Sequence, residues 1–249
     1  MNSAKKNIGE RDEYRVIVEL FRHREDPLYL CPVFGEEARE GIRVIDPNGK
    51  EYTDVSEIPQ KADAKYKCDA TFQFVLSGRV SHVSIKSLRG AKPSLLNHTH
   101  RAAKVFQDEL KDELVHLDRL AKEYHAIQAV TPKEDMPFRD LPCFSEEPVR
   151  QAMLKLLVYF VFVGTGSKKA VQACDAILVF HKDERLEYIS CVTEEERMVY
   201  VASLVDQCRL SFRDKGMSKT NELKLPWVGT YYSEKKGKLM DYGAIHVRM

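Results

Sequence analysis

Lys67-Cys68-Asp69-Ala70-Thr71-Phe72-Gln73-Phe74 and Val80-Ser81-His82-Val83-Ser84-Ile85-Lys86 are the two runs that decide how this chain is read. Both are short and rich in β-branched and aromatic residues. A turn at Ser77-Gly78-Arg79 separates them, and Gly90 and Pro93 end the second, so together they read as a β-hairpin. Asp69, at the start of the first strand, needs a partner among its apolar neighbours. Lys86 closes the second strand seventeen positions later. Hydrolysis of a phosphodiester needs a divalent ion to activate water and positive charge to offset the phosphate. Asp69 and the Ile85 carbonyl as ligands, with Lys86 near the attacking water, would meet that need. Ser84 stands two residues before Lys86, where such a site usually places a second carboxylate. The plain alternative is that Asp69 is a turn or capping residue.

The remaining segments read as alternating helices and strands. Glu10 to His23 is helical, with Tyr14, Ile17, Val18 and Phe21 on one face. On that helix Glu13 is a candidate to replace the missing acid and Glu10 a second, against the reading that each is an exposed helical Glu. Leu28 to Val33 is a short apolar piece broken by Pro27 and Pro32. Gly41 to Tyr52 reads as a hairpin around Asn48-Gly49. Thr99 to Ala126 is expected to be helical, Thr131 to Pro142 a loop, and Ser145 the cap of a helix reaching Val163. Ala176 to His181 and Leu186 to Val192 read as paired strands. Thr193-Glu194-Glu195-Glu196 matches a capping box opening a helix to about Cys208. Gly229 to Val247 suggests a final hairpin. The order implies an α/β or α+β fold, one domain over 1–249 with a central mixed sheet flanked by helices.

Composition narrows the function classes. The chain has 249 residues, 43% apolar and 31% charged, enough for a packed core and unlike a disordered chain. No run approaches a membrane span, and Met1 to Lys6 carries charge with no apolar segment behind it, unlike a signal peptide. The six cysteines form no Cys-x-x-Cys pair and read as buried thiols in a reducing cytoplasm. The net charge is only +1, but Ala70 to Gln107 holds no Asp or Glu. That stretch carries Arg79, Lys86, Arg89, Lys92, Arg101 and Lys104. The tail from Arg209 holds nine Lys or Arg against four acids. Folded onto one face, these segments would favour a polyanion; otherwise they are solvated surface.

Other motifs carry less. Asn97, His100 and Arg101 follow the hairpin and are types that contact bases or phosphates, though Thr99 also reads as a helix cap. Gly164-Thr165-Gly166-Ser167 is too short for a phosphate-binding loop. Asp175 leads a strand pair as Asp69 does, but no Lys closes its second strand, so a structural role is expected.

The chain resembles type II restriction endonucleases of the PD-(D/E)XK superfamily, in the group related to enzymes that cut CCGG. The likeness rests on Asn7-Ile8-Gly9-Glu10-Arg11-Asp12-Glu13, on Ser84-Ile85-Lys86-Ser87-Leu88-Arg89-Gly90 with Pro93-Ser94-Leu95-Leu96-Asn97, and on Gly229-Thr230-Tyr231-Tyr232 with Ile245-His246-Val247-Arg248. Ser84 departs from the superfamily's usual acid but matches this group's block, and Met249 replaces an expected aromatic. The resemblance implies a restriction fold, Mg²⁺-dependent cleavage of double-stranded DNA and a homodimer. It implies that Asp69 and Lys86 are catalytic with Ser84, and that Glu13 assists and joins Asp69 and Ile85 at the metal. Arg89, Lys92, Asn97, His100, Arg101, Lys235, Lys236 and Lys238 are the DNA-binding candidates, and residues from about 165 to 249 are expected to contribute recognition. The rival expectations are a DNA-binding module with a degenerate nuclease site and a nuclease for structured DNA.

Overall fold

The structure, a computed structural model, describes residues 8–63, 65–90, 92–97, 109–131, 135–164, 169–213, 229–233, 237–242 and 244–249. Its helices are α1 (Ile8–Arg22), α2 (Pro27–Phe34), α3 (Leu114–Val130), α4 (Glu147–Val158) and α5 (Glu194–Val205). Its strands are β1 (Ile42–Ile45), β2 (Ala70–Phe74), β3 (Val80–Ser87), β4 (Ser94–Asn97), β5 (Met136–Pro137), β6 (Ala176–Phe180), β7 (Leu186–Ser190), β8 (Arg209–Arg213), β9 (Gly229–Ser233), β10 (Lys238–Tyr242) and β11 (Ala244–Arg248). The chain is α+β, with a mixed sheet as expected. It divides into two compact units, 1–93 with 170–196, and 94–169 with 197–249. The segment assigned to recognition is therefore shared between them.

In the first unit the sheet order is β1-β2-β3-β6-β7, antiparallel throughout except where β3 and β6 run parallel. The predicted hairpin is β2 and β3, turned by Gly78 with φ +71°, a conformation that favours glycine. Helix α1 lays Val16, Ile17, Leu20 and Phe21 into the core of this unit, among Phe34, Phe72, Phe74 and Ile85. The piece read as broken by prolines is helix α2. Pro27 sits in its first turn, where the missing N–H would have no intrahelical partner. Asp26 caps the helix by accepting from Leu28 N at 3.0 Å and Tyr29 N at 3.4 Å. Pro32 removes one late helical bond, and burial of Leu30 and Phe34 offsets it. Around Asn48-Gly49 only half of the expected hairpin forms. Its second leg is a single bridge, Ile45 to Glu51.

The second unit holds an antiparallel sheet of order β4-β11-β8-β5 and the separate hairpin β9–β10. The final hairpin was expected to take in Ala244 to Val247. That segment is instead β11, between β4 and β8. The expected helix from Thr99 is described only as α3, and 98–108 lie outside the described residues. Thr131 to Pro142 is not a plain loop, since it contains β5 and a 3₁₀ turn at Phe138–Asp140. Ser145 does not cap α4: its hydroxyl donates to the Pro142 carbonyl at 2.7 Å, and Glu146 takes the cap position. Beyond Val158 the helix widens into a π turn, Tyr159–Val163. The predicted capping box at α5 forms, with Glu196 N donating to Thr193 Oγ1 at 3.1 Å and Thr193 N to Glu196 Oε2 at 2.9 Å. Among the described residues no helix is long and apolar enough to cross a membrane.

Asp175, just before β6, ties that strand to β3. Its Oδ1 accepts from Ser81 Oγ at 2.7 Å and from His82 N at 3.0 Å. Asp175→Ala would leave a buried hydroxyl and a strand N–H without this acceptor. The expected loss of stability is about 2–3 kcal/mol in urea unfolding, larger than for a surface Asp→Ala change.

Candidate active site

Strand β3 is longer than its neighbour β2. The ladder's last paired residues are Ala70 and Val83, and Asp69 N still donates to the Val83 carbonyl at 2.8 Å. Past that point β2 is gone and the edge of β3 is open. Residues 83 and 85 present their backbone groups to that side, because strand residues alternate and Leu88 N on the opposite edge bonds Phe180 in β6. The Asp69 carboxylate fills the place of the missing strand: Oδ2 accepts from Ile85 N at 2.7 Å and from Ser84 Oγ at 3.1 Å. The Ile85 carbonyl lies on the same open edge.

Ser84 Oγ in turn accepts from Lys86 Nζ at 2.7 Å. Side chains two apart on a strand share a face, which is why a Ser-x-Lys spacing brings these groups together. Ser84 is almost fully buried and its hydroxyl bridges the ammonium and the carboxylate. No hydrogen bond engages Asp69 Oδ1 among the described residues.

Glu13, in the first turns of α1, lies close enough to feel the same charges. Its carboxyl is pushed up to about 7, first by burial and then by the Asp69 carboxylate; Lys86, Glu10 and Lys61 act more weakly, the two lysines in the opposite direction. Glu10 is committed elsewhere, to Lys61 at 2.8 Å. Lys67 had no place in the sequence-based site. Burial, then Lys86, lower its pKa to about 8, while Cys174 and Asp69 oppose the shift. Its signal was available, since it sits two residues before Asp69 in the bend that leads into β2. A cavity of about 270 Å³ is lined by Asp69 with Lys61, Lys65, Tyr52 and Tyr66.

Sequence reasoning named four side chains here, Asp69, Ser84, Lys86 and Glu13, and the fold brings them together. Of the DNA-binding candidates, Arg89 and Lys92 have described side chains. Arg89 is held by Asp12 at 3.5 Å and Glu184 at 3.7 Å, and Lys92 is exposed. Asn97 ends β4 and Lys238 starts β10, with their side chains outside the description. His100, Arg101, Lys235 and Lys236 lie outside the described residues.

The donor set limits which ion could bind. Among the described residues no group of three or more His, Cys, Asp or Glu side chains could hold a metal. Among the described residues the candidate donors are the Asp69 and Glu13 carboxyls and the Ile85 carbonyl. That set is all oxygen, which suits Mg²⁺ or Ca²⁺ rather than Zn²⁺.

The Glu13 shift has a consequence for stability. A carboxyl raised from 4.5 to about 7 keeps its proton in the folded state after the unfolded chain has released it. Stability of the metal-free protein therefore declines as pH rises through that window. Glu13→Gln removes the ionisation and is expected to stabilise the metal-free protein by about 1–3 kcal/mol at pH 8, the range reflecting partial solvent screening. The gain should vanish near pH 4, and thermal melts at the two pH values measure it.

In comparisons with known proteins the chain matches no family model, no curated protein and no solved structure, so its chemistry is argued from these side chains.

Proposed function

We propose that this chain is a Mg²⁺-dependent type II restriction endonuclease that cuts double-stranded DNA at a short specific sequence, working as a homodimer in the cytoplasm. The observation that carries the reading is the relay Lys86 Nζ to Ser84 Oγ to Asp69 Oδ2, with the Glu13 carboxyl beside it. A mixed sheet with Asp at the end of one strand and Ser-x-Lys on the next is compatible with the restriction fold that the resemblance implies.

The residues fit Mg²⁺. Asp69, Glu13 and the Ile85 carbonyl are hard oxygen donors, and an ion that keeps most of its water needs few of them. Burial first, and the Asp69 carboxylate second, raise the Glu13 carboxyl, so a cation beside the two acids would offset the second effect. When bound, the ion supplies Lewis-acid polarisation of the phosphate and a water that deprotonates more easily.

The chain's own groups do the rest. Ser84 accepts a hydrogen bond from Lys86 and donates one to Asp69, which fixes the ammonium on β3. From there Lys86 offsets charge on the scissile phosphate. Asp69 is held in place by Ile85 N–H just before β2. The Glu13 carboxylate would either hold the ion or receive a proton from the attacking water.

Lys86→Ala should lower Mg²⁺-dependent plasmid cleavage by at least about 100-fold while leaving low-salt DNA binding within a few fold. Asp69→Asn should do the same. Cleavage by Lys86→Ala at the wild-type rate would sink the assignment. Salt-sensitive DNA binding with no cleavage under Mg²⁺ or Mn²⁺ would instead identify a binding module.

A further inference from the structure

Glu13 and Asp12 are neighbours on α1, yet they face different partners. Asp12 is 7% exposed and is the only residue of α1 before Val16 that is buried among those described. Its Oδ2 accepts from Ser87 Oγ at 2.6 Å, and its Oδ1 is 3.5 Å from an Arg89 guanidinium nitrogen. Ser87 Oγ also accepts from Arg89 N at 3.2 Å, which closes the end of β3 on itself. Arg89 reaches on to Glu184 at 3.7 Å, and Glu184 meets Arg15 of α1 at 2.9 Å. The first turns of α1 are thus tied twice to the segment that follows Lys86.

The geometry matters because apolar packing alone does not fix a helix finely. The stripe Val16, Ile17, Leu20 and Phe21 holds the second half of α1. It is non-directional and allows small rotation or sliding. A short hydrogen bond to a carboxylate is directional. Asp12 is one residue from Glu13, and Ser87 is one residue from Lys86. A bond between Asp12 and Ser87 therefore sets where Glu13 stands relative to Lys86 and Asp69. We propose that Asp12 and Ser87 are a positioning pair that places the Glu13 carboxylate at the Asp69 site. A shift of about 1 Å in a reacting group is enough to cost about 100-fold in rate. This inference rests on the nuclease reading for its chemistry, but the placement itself does not require DNA. It also gives Arg89 a structural task in place of a phosphate contact.

The test uses Ser87→Ala, Ser87→Thr and Asp12→Ala in the full chain. Four quantities are measured: the thermal midpoint, Mn²⁺ binding by calorimetry, low-salt DNA affinity, and single-turnover plasmid cleavage with saturating protein. Ser87→Ala and Asp12→Ala should stay folded, weaken Mn²⁺ binding at least about fivefold and slow cleavage at least about tenfold, with DNA affinity within about twofold. Ser87→Thr, which keeps the hydroxyl, should restore both. A purely structural role would lower the midpoint without this selective loss. A folded Ser87→Ala with Mn²⁺ binding and cleavage within twofold of wild type overturns the proposal, as does a Ser87→Thr that fails as Ser87→Ala does. Should Asp12→Ala not fold, the two Ser87 variants decide the matter alone. If the wild-type chain binds Mn²⁺ but cuts no DNA, the nuclease reading falls and the Mn²⁺ series still judges the pair. A wild-type chain that does neither overturns both.

Discussion

The hydrogen bond from Ile85 N–H to the Asp69 carboxylate is the contact on which the rest of the site depends. A strand that outlasts its neighbour leaves N–H and C=O groups facing nothing, and an unmatched buried donor costs about 1–3 kcal/mol. Here a side chain from the end of the shorter strand satisfies the donor. The same bond fixes one carboxylate oxygen, and among the described residues Oδ1 takes no hydrogen bond. Structural necessity and candidate chemistry are met by one residue. Asp69 therefore has a structural task of its own, whatever chemistry is proposed for it.

Asp175 makes the comparison instructive. It too leads a strand bordering β3, donates its N–H to a β3 carbonyl, and accepts from a Ser hydroxyl and a backbone N–H of that strand. Locally the two acids do the same work on opposite edges. What differs is what stands next to them. Ser84 passes its contact on to a lysine, and α1 brings a second acid within range of Asp69. Around Asp175, Ser81 passes its contact to the Tyr188 hydroxyl at 2.8 Å, a neutral group. The distinction between a structural and a candidate catalytic Asp therefore lies in the second neighbour, not in the motif.

That explains how much of the molecule could be read from sequence. The β2–β3 hairpin was legible because its turn and alternation are local signals, and Ser-x-Lys placed two groups on one face by strand period alone. Asp69 was legible as a polar residue where none was expected. Glu13 was not singled out by helical periodicity, which treats it as an exposed position; the acid missing at Ser84 pointed to it. Helix α2 was missed because Pro27 was weighed as a breaker when it occupies the one helical position that suits it. Pairings that join distant segments had no local signal at all: β3 with β6, Arg79 with Glu37, and Asp12 with Ser87 across 75 residues.

The acid-free stretch from Ala70 to Gln107 shows the same limit from the side of charge. Counted along the chain it is purely basic. In the fold, Arg79 is clamped by both oxygens of Glu37, at 2.6 to 3.1 Å, and Arg89 by Asp12 and Glu184. Acids absent from the segment reach it from helices and turns elsewhere in the unit. Local charge counting overstates the field available to a polyanion whenever the neighbours in space are not the neighbours in sequence. Lys86 differs from these arginines. Its hydrogen-bond partner is a neutral hydroxyl, and the carboxylate it influences is one bond further away. An ammonium held in place without being neutralised by direct contact is the arrangement that leaves charge for an incoming phosphate. Among the described cations of this stretch, the electrostatic argument for a polyanion therefore rests less on the two arginines than on Lys86 and the exposed Lys92.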